Sequence, residues 1–148
     1  MGMIELIDHS SIWIVRYPSG LTIEDYRDYL DEFRSLSKPG QKHALIVDFT
    51  YYNPIGASAA LRGKIAETLE GQMSFFAERM LCEVRVCSNP IMRGVLTVFD
   101  YMTNLPWPCS NVSSGNVAEL WARAQLAKAG IEAPKCEVWN SPRLRQQA

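Results

Sequence analysis

Ala44-Leu45-Ile46-Val47-Asp48-Phe49 is a nearly unbroken apolar run rich in branched side chains. Lys38-Pro39-Gly40 precedes it, and Tyr51-Tyr52-Asn53-Pro54-Ile55-Gly56 follows as a loop. A run this short, apolar at successive positions and bounded by turn residues, fits a central strand covered on both faces. Leu81 to Val86 is a second segment of strand type and is predicted to be its inner neighbour.

Upstream, Met3, Ile4, Leu6 and Ile7 surround Glu5, and Ile12 to Tyr17 is β-branched and aromatic. Asp8-His9-Ser10 between them predicts a hairpin. Thr22 is a good helix N-cap, with Glu24 and Asp25 in the first turn, where the helix dipole favours acids. Ile23, Tyr26, Leu30 and Phe33 then mark one apolar face.

Downstream, a helix is expected from about Ala57, with Leu61, Ile65, Leu69 and Met73 four apart. Asn89-Pro90 predicts the start of a third helix, because proline is permitted at the first helical position. Ile91, Met92, Val95, Leu96, Val98, Phe99 and Met102 make this helix apolar nearly all round, which predicts that it is largely buried. Pro106-Trp107-Pro108 ends it, and a short strand including Val112 follows. Ser113, Ser114 or Asn116 caps a last helix whose apolar face reads as Val117, Leu120, Trp121 and Ala124. The predicted order is β-β-α-β-α-β-α-β-α. It describes an α/β domain with a mixed sheet of about five strands and helices packed on it. Residues 1–130 are assigned to one domain, and 131–148 to a C-terminal tail that orders only by docking.

The chain has 148 residues, 47% hydrophobic and 21% charged, which suits one globular domain. Fifteen basic and sixteen acidic residues leave a charge of −1, so no pull toward nucleic acid is expected. Met1 to Asp8 has no basic segment and carries Glu5 and Asp8, unlike a signal peptide, and no apolar run could span a membrane. A cytoplasmic protein is expected. Cys82, Cys87, Cys109 and Cys136 form no CxxC pair and no zinc spacing with His9 or His43, so free thiols and no metal are expected. His9 is placed in the hairpin turn and His43 at the surface. No cofactor-binding motif is present.

The element order resembles the STAS fold of bacterial anti-sigma-factor antagonists and SpoIIAA-like proteins. The echoes are Val86-Cys87-Ser88-Asn89-Pro90 with Phe99-Asp100-Tyr101-Met102, and Ile46-Val47-Asp48-Phe49-Thr50 with Ser58 at the next helix start. Arg93-Gly94-Val95-Leu96-Thr97 and Pro106-Trp107-Pro108 are similar to single-domain STAS-like bacterial proteins of unassigned biochemistry. The resemblance implies a non-enzymatic regulatory or protein-interaction module. It also implies a phosphorylated serine near Ser58, although Gly56-Ala57-Ser58-Ala59 lacks the acidic neighbour of the antagonists' motif. Ala57, Ser58, Asp48, Tyr51 and Tyr52 are the candidate regulatory surface. The partner is another protein, for instance a kinase or signalling component, with a homodimer as a further option.

Two alternatives stay open. Cys87 to Arg93 has the Cys-x5-Arg spacing of a phosphatase or anion-binding loop at a strand-to-helix junction, but it lacks glycine, and Pro90 removes an amide donor. Asp48, at a strand end, could act as a base or simply cap a loop. Tyr51, Tyr52, Met73, Phe75, Phe76, Tyr101 and Trp107 could gather at one end of the fold. Tyr101 and Trp107 are the candidate lining of a pocket for a small apolar ligand carried without a cofactor.

Overall fold

The computed structural model describes residues 3–140. Residues 1–2 and 141–148, with Arg143 and Arg145, lie outside the described residues. The strands are β1 (Glu5–His9), β2 (Ile12–Arg16), β3 (His43–Asp48), β4 (Met80–Val86) and β5 (Cys109–Val112). The helices are α1 (Ile23–Leu36), α2 (Ala59–Glu70), α3 (Met73–Arg79), α4 (Pro90–Thr103) and α5 (Gly115–Lys128), with a short 3-10 turn at Pro54–Gly56. One five-stranded mixed sheet runs β1-β2-β3-β4-β5. β1 is antiparallel to β2, and the other neighbours are parallel. The chain is therefore of α/β class. Among the described residues, no helix is long and apolar enough to cross a membrane.

Each new parallel strand is added on the same side of the last. Right-handed crossovers then force α1, α2–α3 and α4 onto one face of the sheet. The packing follows this division. Trp13, Val15, Leu45 and Val47 meet Tyr26, Leu30, Phe33, Leu69 and Phe76 on that face. Ile12, Ile14, Ala44, Ile46, Cys82, Val84 and Val86 meet α5 on the other. β3 thus lies centrally with every residue buried.

Local chemistry sets the element ends. Thr22 and Asp25 form a reciprocal capping box at the start of α1. Asn89 accepts from Ile91 N–H at 2.8 Å, with Pro90 opening α4. Ser114 caps α5. In the hairpin, β1 continues through His9, and Ser10 takes the turn with φ 66°, its N–H held by Asp8 at 2.8 Å.

Several expectations need correction. The second helix does not run on to Met73: α2 ends at Glu70 with Gly71 as its C-cap, and α3 starts afresh, aiming Phe76 into the core. α4 buries only Met92, Leu96 and Thr103, while Ile91, Val98, Tyr101 and Met102 face outward. One helix on one sheet face can bury one stripe, however apolar its remainder. In α5 the buried face is Gly115, Ala118, Glu119, Ala122 and Leu126. Val117, Leu120 and Ala124 point away, because small residues let the helix sit close on the sheet. His43 is buried rather than exposed. Its ring stacks on Trp13 with centroids 4.1 Å apart, and burial lowers its pKa.

Residues 131–140 dock. Val138 is fully buried on the α5 face. Arg123 donates to the Pro134 carbonyl at 2.6 Å and to that of Cys136. Glu119 accepts from the Trp139 N–H at 2.6 Å. The Trp139 ring lies where a Cβ on Gly115 would be, 1.6 Å from its Cε2.

Candidate functional site

Alternation along β4 sends Cys82, Val84 and Val86 to the α5 face. Glu83 and Arg85 therefore point to the opposite face, beside Leu45 and Val47 of β3. Two charged side chains on the inner face of a central strand break the local apolar pattern. Such breaks concentrate at functional sites.

The two charges form a connected relay. Arg85 is 1% exposed. Its Nε donates to the Glu83 carboxylate, and its terminal nitrogen reaches the Asp100 carboxylate on α4 at 2.7 Å. Glu83 accepts a further bond from Trp107 Nε1 at 3.3 Å. Burial alone would disfavour the guanidinium charge. The surrounding Glu83, Cys109 and Asp100 groups outweigh burial and raise its pKa.

Beside this relay lies a cavity of about 100 Å³ between the sheet and the helices α1, α2 and α4. Its apolar walls include Leu30, Phe33, Val47, Leu69, Met92 and Leu96. Its polar lining is Tyr17, Tyr26, Tyr29, Tyr52, Glu83, Arg85 and, from α2, Arg62. Burial pushes Tyr17, Tyr26 and Tyr29 well above the usual phenol range, and the Glu83 charge adds to the effect. Their hydroxyls are thus firmly protonated, and all three residues line the cavity. These three phenols, with Glu83 and Arg85, are the site residues that the sequence reading did not single out. The available signal was Cys82-Glu83-Val84-Arg85-Val86: two charges at every second position of a strand flanked on both sides.

Of the residues expected to form a pocket, Trp107 lines the cavity, as do Tyr52 and Phe76. Tyr101 does not join them. It projects from the outer face of α4 and is 91% exposed.

The expected regulatory surface divides. Ser58 is exposed and caps α2, accepting from Leu61 N–H at 3.0 Å. Ala57 is half-buried, and its carbonyl accepts from Arg62 at 2.7 Å. Tyr51 is half-exposed, its ring 5.4 Å from the Arg16 guanidinium. Asp48 is not at the surface. It is buried, accepts from Arg16 Nε at 3.1 Å, and holds both the N–H and the hydroxyl of Thr50. It ties β2 to the loop after β3, which is the capping role. Tyr52 turns inward to the cavity.

The Cys-x5-Arg segment is not arranged for catalysis. Burial pushes the Cys87 thiol up, opposite to an activated nucleophile. Its Sγ donates to the Asn89 carbonyl at 3.5 Å, and Arg93 Nε donates to the Cys87 carbonyl at 3.0 Å. Through its Nε the arginine staples the turn. All four cysteines are free thiols.

The chain matches no protein-family model, no curated protein and no solved structure.

Proposed function

We propose that this chain is a non-enzymatic, STAS-like regulatory module that holds a small, largely apolar molecule between its sheet and its helices. The observation that carries this reading is the cavity between sheet and helices, with apolar walls and the phenols of Tyr17, Tyr26 and Tyr29 beside Glu83 and Arg85 in its lining. An apolar chamber with a few convergent polar groups is the usual form of a small-molecule site. The strand order, with an antiparallel edge hairpin followed by parallel strands, supports the STAS-like assignment. The test is to purify the protein natively from its host and analyse what denaturation releases. Wild type should release a stoichiometric small molecule, and Leu96→Trp, which fills the cavity, should release none. Equal recovery from both would contradict the reading.

A second reading concerns the outer surface. Ile91, Val98, Tyr101 and Met102 form an exposed stripe on α4 at helical spacing, close to the exposed Ile55. Contiguous exposed apolar residues mark interaction surfaces. We propose that a partner protein docks here and that phosphorylation of Ser58, at the start of the neighbouring α2, tunes that docking. Val98→Asp should abolish partner binding without changing the melting temperature. Unchanged binding would remove this surface from consideration.

A further inference from the structure

The polar lining of the cavity restricts what its occupant can be. Glu83 accepts two bonds, from Trp107 and Arg85. A carboxylate offers about four acceptor positions, so it can take more. Tyr17, Tyr26 and Tyr29 line the same cavity as that carboxylate, and their hydroxyls, kept protonated by burial, offer donors there. A group placed between them must therefore donate to Glu83 and accept from a phenol.

A hydroxyl does both with a single heavy atom. A ligand carboxylate could only accept, and it would lie against the Glu83 charge. An ammonium group could only donate, and it would lie near Arg85. Either ion would also lose its hydration, while Arg85 is already matched by Glu83 and Asp100 and Arg62, the other cation of the lining, is tied to the Ala57 carbonyl. Size gives the other limit. About 100 Å³ is several times what one water needs and about two thirds of the roughly 150 Å³ of an engineered cavity that binds benzene, which limits the occupant to one ring. The remaining walls, among them Leu30, Phe33 and Leu96, suit a ring.

We infer that the occupant is an uncharged, single-ring molecule bearing a hydroxyl, seated with that hydroxyl between the Glu83 carboxylate and the Tyr26 phenol and with its ring against Leu30, Phe33 and Leu96. This inference rests on the reading of the cavity as a ligand site. It adds the chemical class of the ligand and its orientation.

Three probes of one shape separate the possibilities: p-cresol, p-xylene and p-toluate, each titrated into the full chain and followed by protein NMR. p-Cresol should bind at least about tenfold more tightly than p-xylene, as one hydrogen bond to a charged acceptor allows. p-Toluate should bind more weakly than both. In Tyr26→Phe, which removes one hydroxyl and keeps the ring, the advantage of p-cresol should fall at least about threefold while p-xylene affinity stays the same. Glu83→Gln should act in the same direction. If p-xylene binds and p-cresol binds no better, the ligand class is wrong while the cavity reading stands. If p-cresol keeps its full advantage in Tyr26→Phe, the orientation is wrong. If none of the three binds, the cavity reading fails and this inference fails with it.

Discussion

Arg85 Nε donates to the carboxylate of Glu83, two residues earlier on the same strand, and both side chains point into the core. Same-face neighbours on a strand are i and i+2, so this pairing needs no long-range event beyond formation of β4. Its other end, Asp100, fastens α4 to the sheet.

Removing one member of this relay strands the others. Arg85→Met should destabilise the fold by on the order of 3 kcal/mol, the low end for a broken buried pair, because Asp100 is partly solvated. The double variant Glu83→Gln, Arg85→Met should cost less than the sum of its two single changes. Urea unfolding of the three variants measures this, and strict additivity would mean that the pair is not coupled.

The buried phenols make an alkaline prediction. A phenol whose pKa is raised in the folded state holds its proton after the unfolded chain has lost it. Stability is then complete below the unfolded value near pH 10 and falls as pH rises above it. Each such tyrosine steepens the loss by about 1.4 kcal/mol per pH unit. Phenolate absorbance should show Tyr17, Tyr26 and Tyr29 ionising together with unfolding, and Tyr26→Phe should make the loss shallower. Smooth ionisation of all tyrosines in a folded protein would contradict the burial.

Gly115 is required by contact, not by backbone angle. A methyl there would stand inside the Trp139 ring. Gly115→Ala should cost about 1–3 kcal/mol by overpacking and should expose residues 131–140 to proteolysis. In a Trp139→Ala background the same change should cost almost nothing.

Ser58 caps α2 through its side chain. Ser58→Ala should cost about 0.5–2 kcal/mol, whereas Ser58→Asp should keep the melting temperature, since aspartate caps equally well and suits the positive end of the dipole. If Ser58→Asp unfolds the protein, Ser58 is unsuited to a charge switch.

Much of the sheet was legible because β3 is covered on both faces and its residues are apolar at successive positions. The caps at Thr22, Asn89 and Ser114 were legible for a local reason: each bond spans three residues or fewer. The helix faces were harder to read. In α5, hydrophobicity pointed to Val117 and Leu120, but close approach to the sheet selected Gly115, Ala118 and Ala122, which carry almost no hydrophobic signal of their own. In α4 every direction looked apolar, so burial of one stripe and exposure of another were indistinguishable until the sheet face was known. The cavity was the least legible feature. Tyr17 read as the end of a strand and Tyr26 as part of an apolar helix face, and their meeting with Glu83 depends on α1 crossing over the sheet.

The central claim is that the space between β3, β4 and the helices accepts a small ring. Methyl-resolved NMR of the wild-type chain titrated with p-xylene tests it most directly. The account predicts saturable shifts at Leu30, Val47 and Leu96, which line the cavity, and their loss in Leu96→Trp. Shifts confined to Ile91, Val98 and Met102 on the outside of α4, or no saturable shift at all, would contradict it.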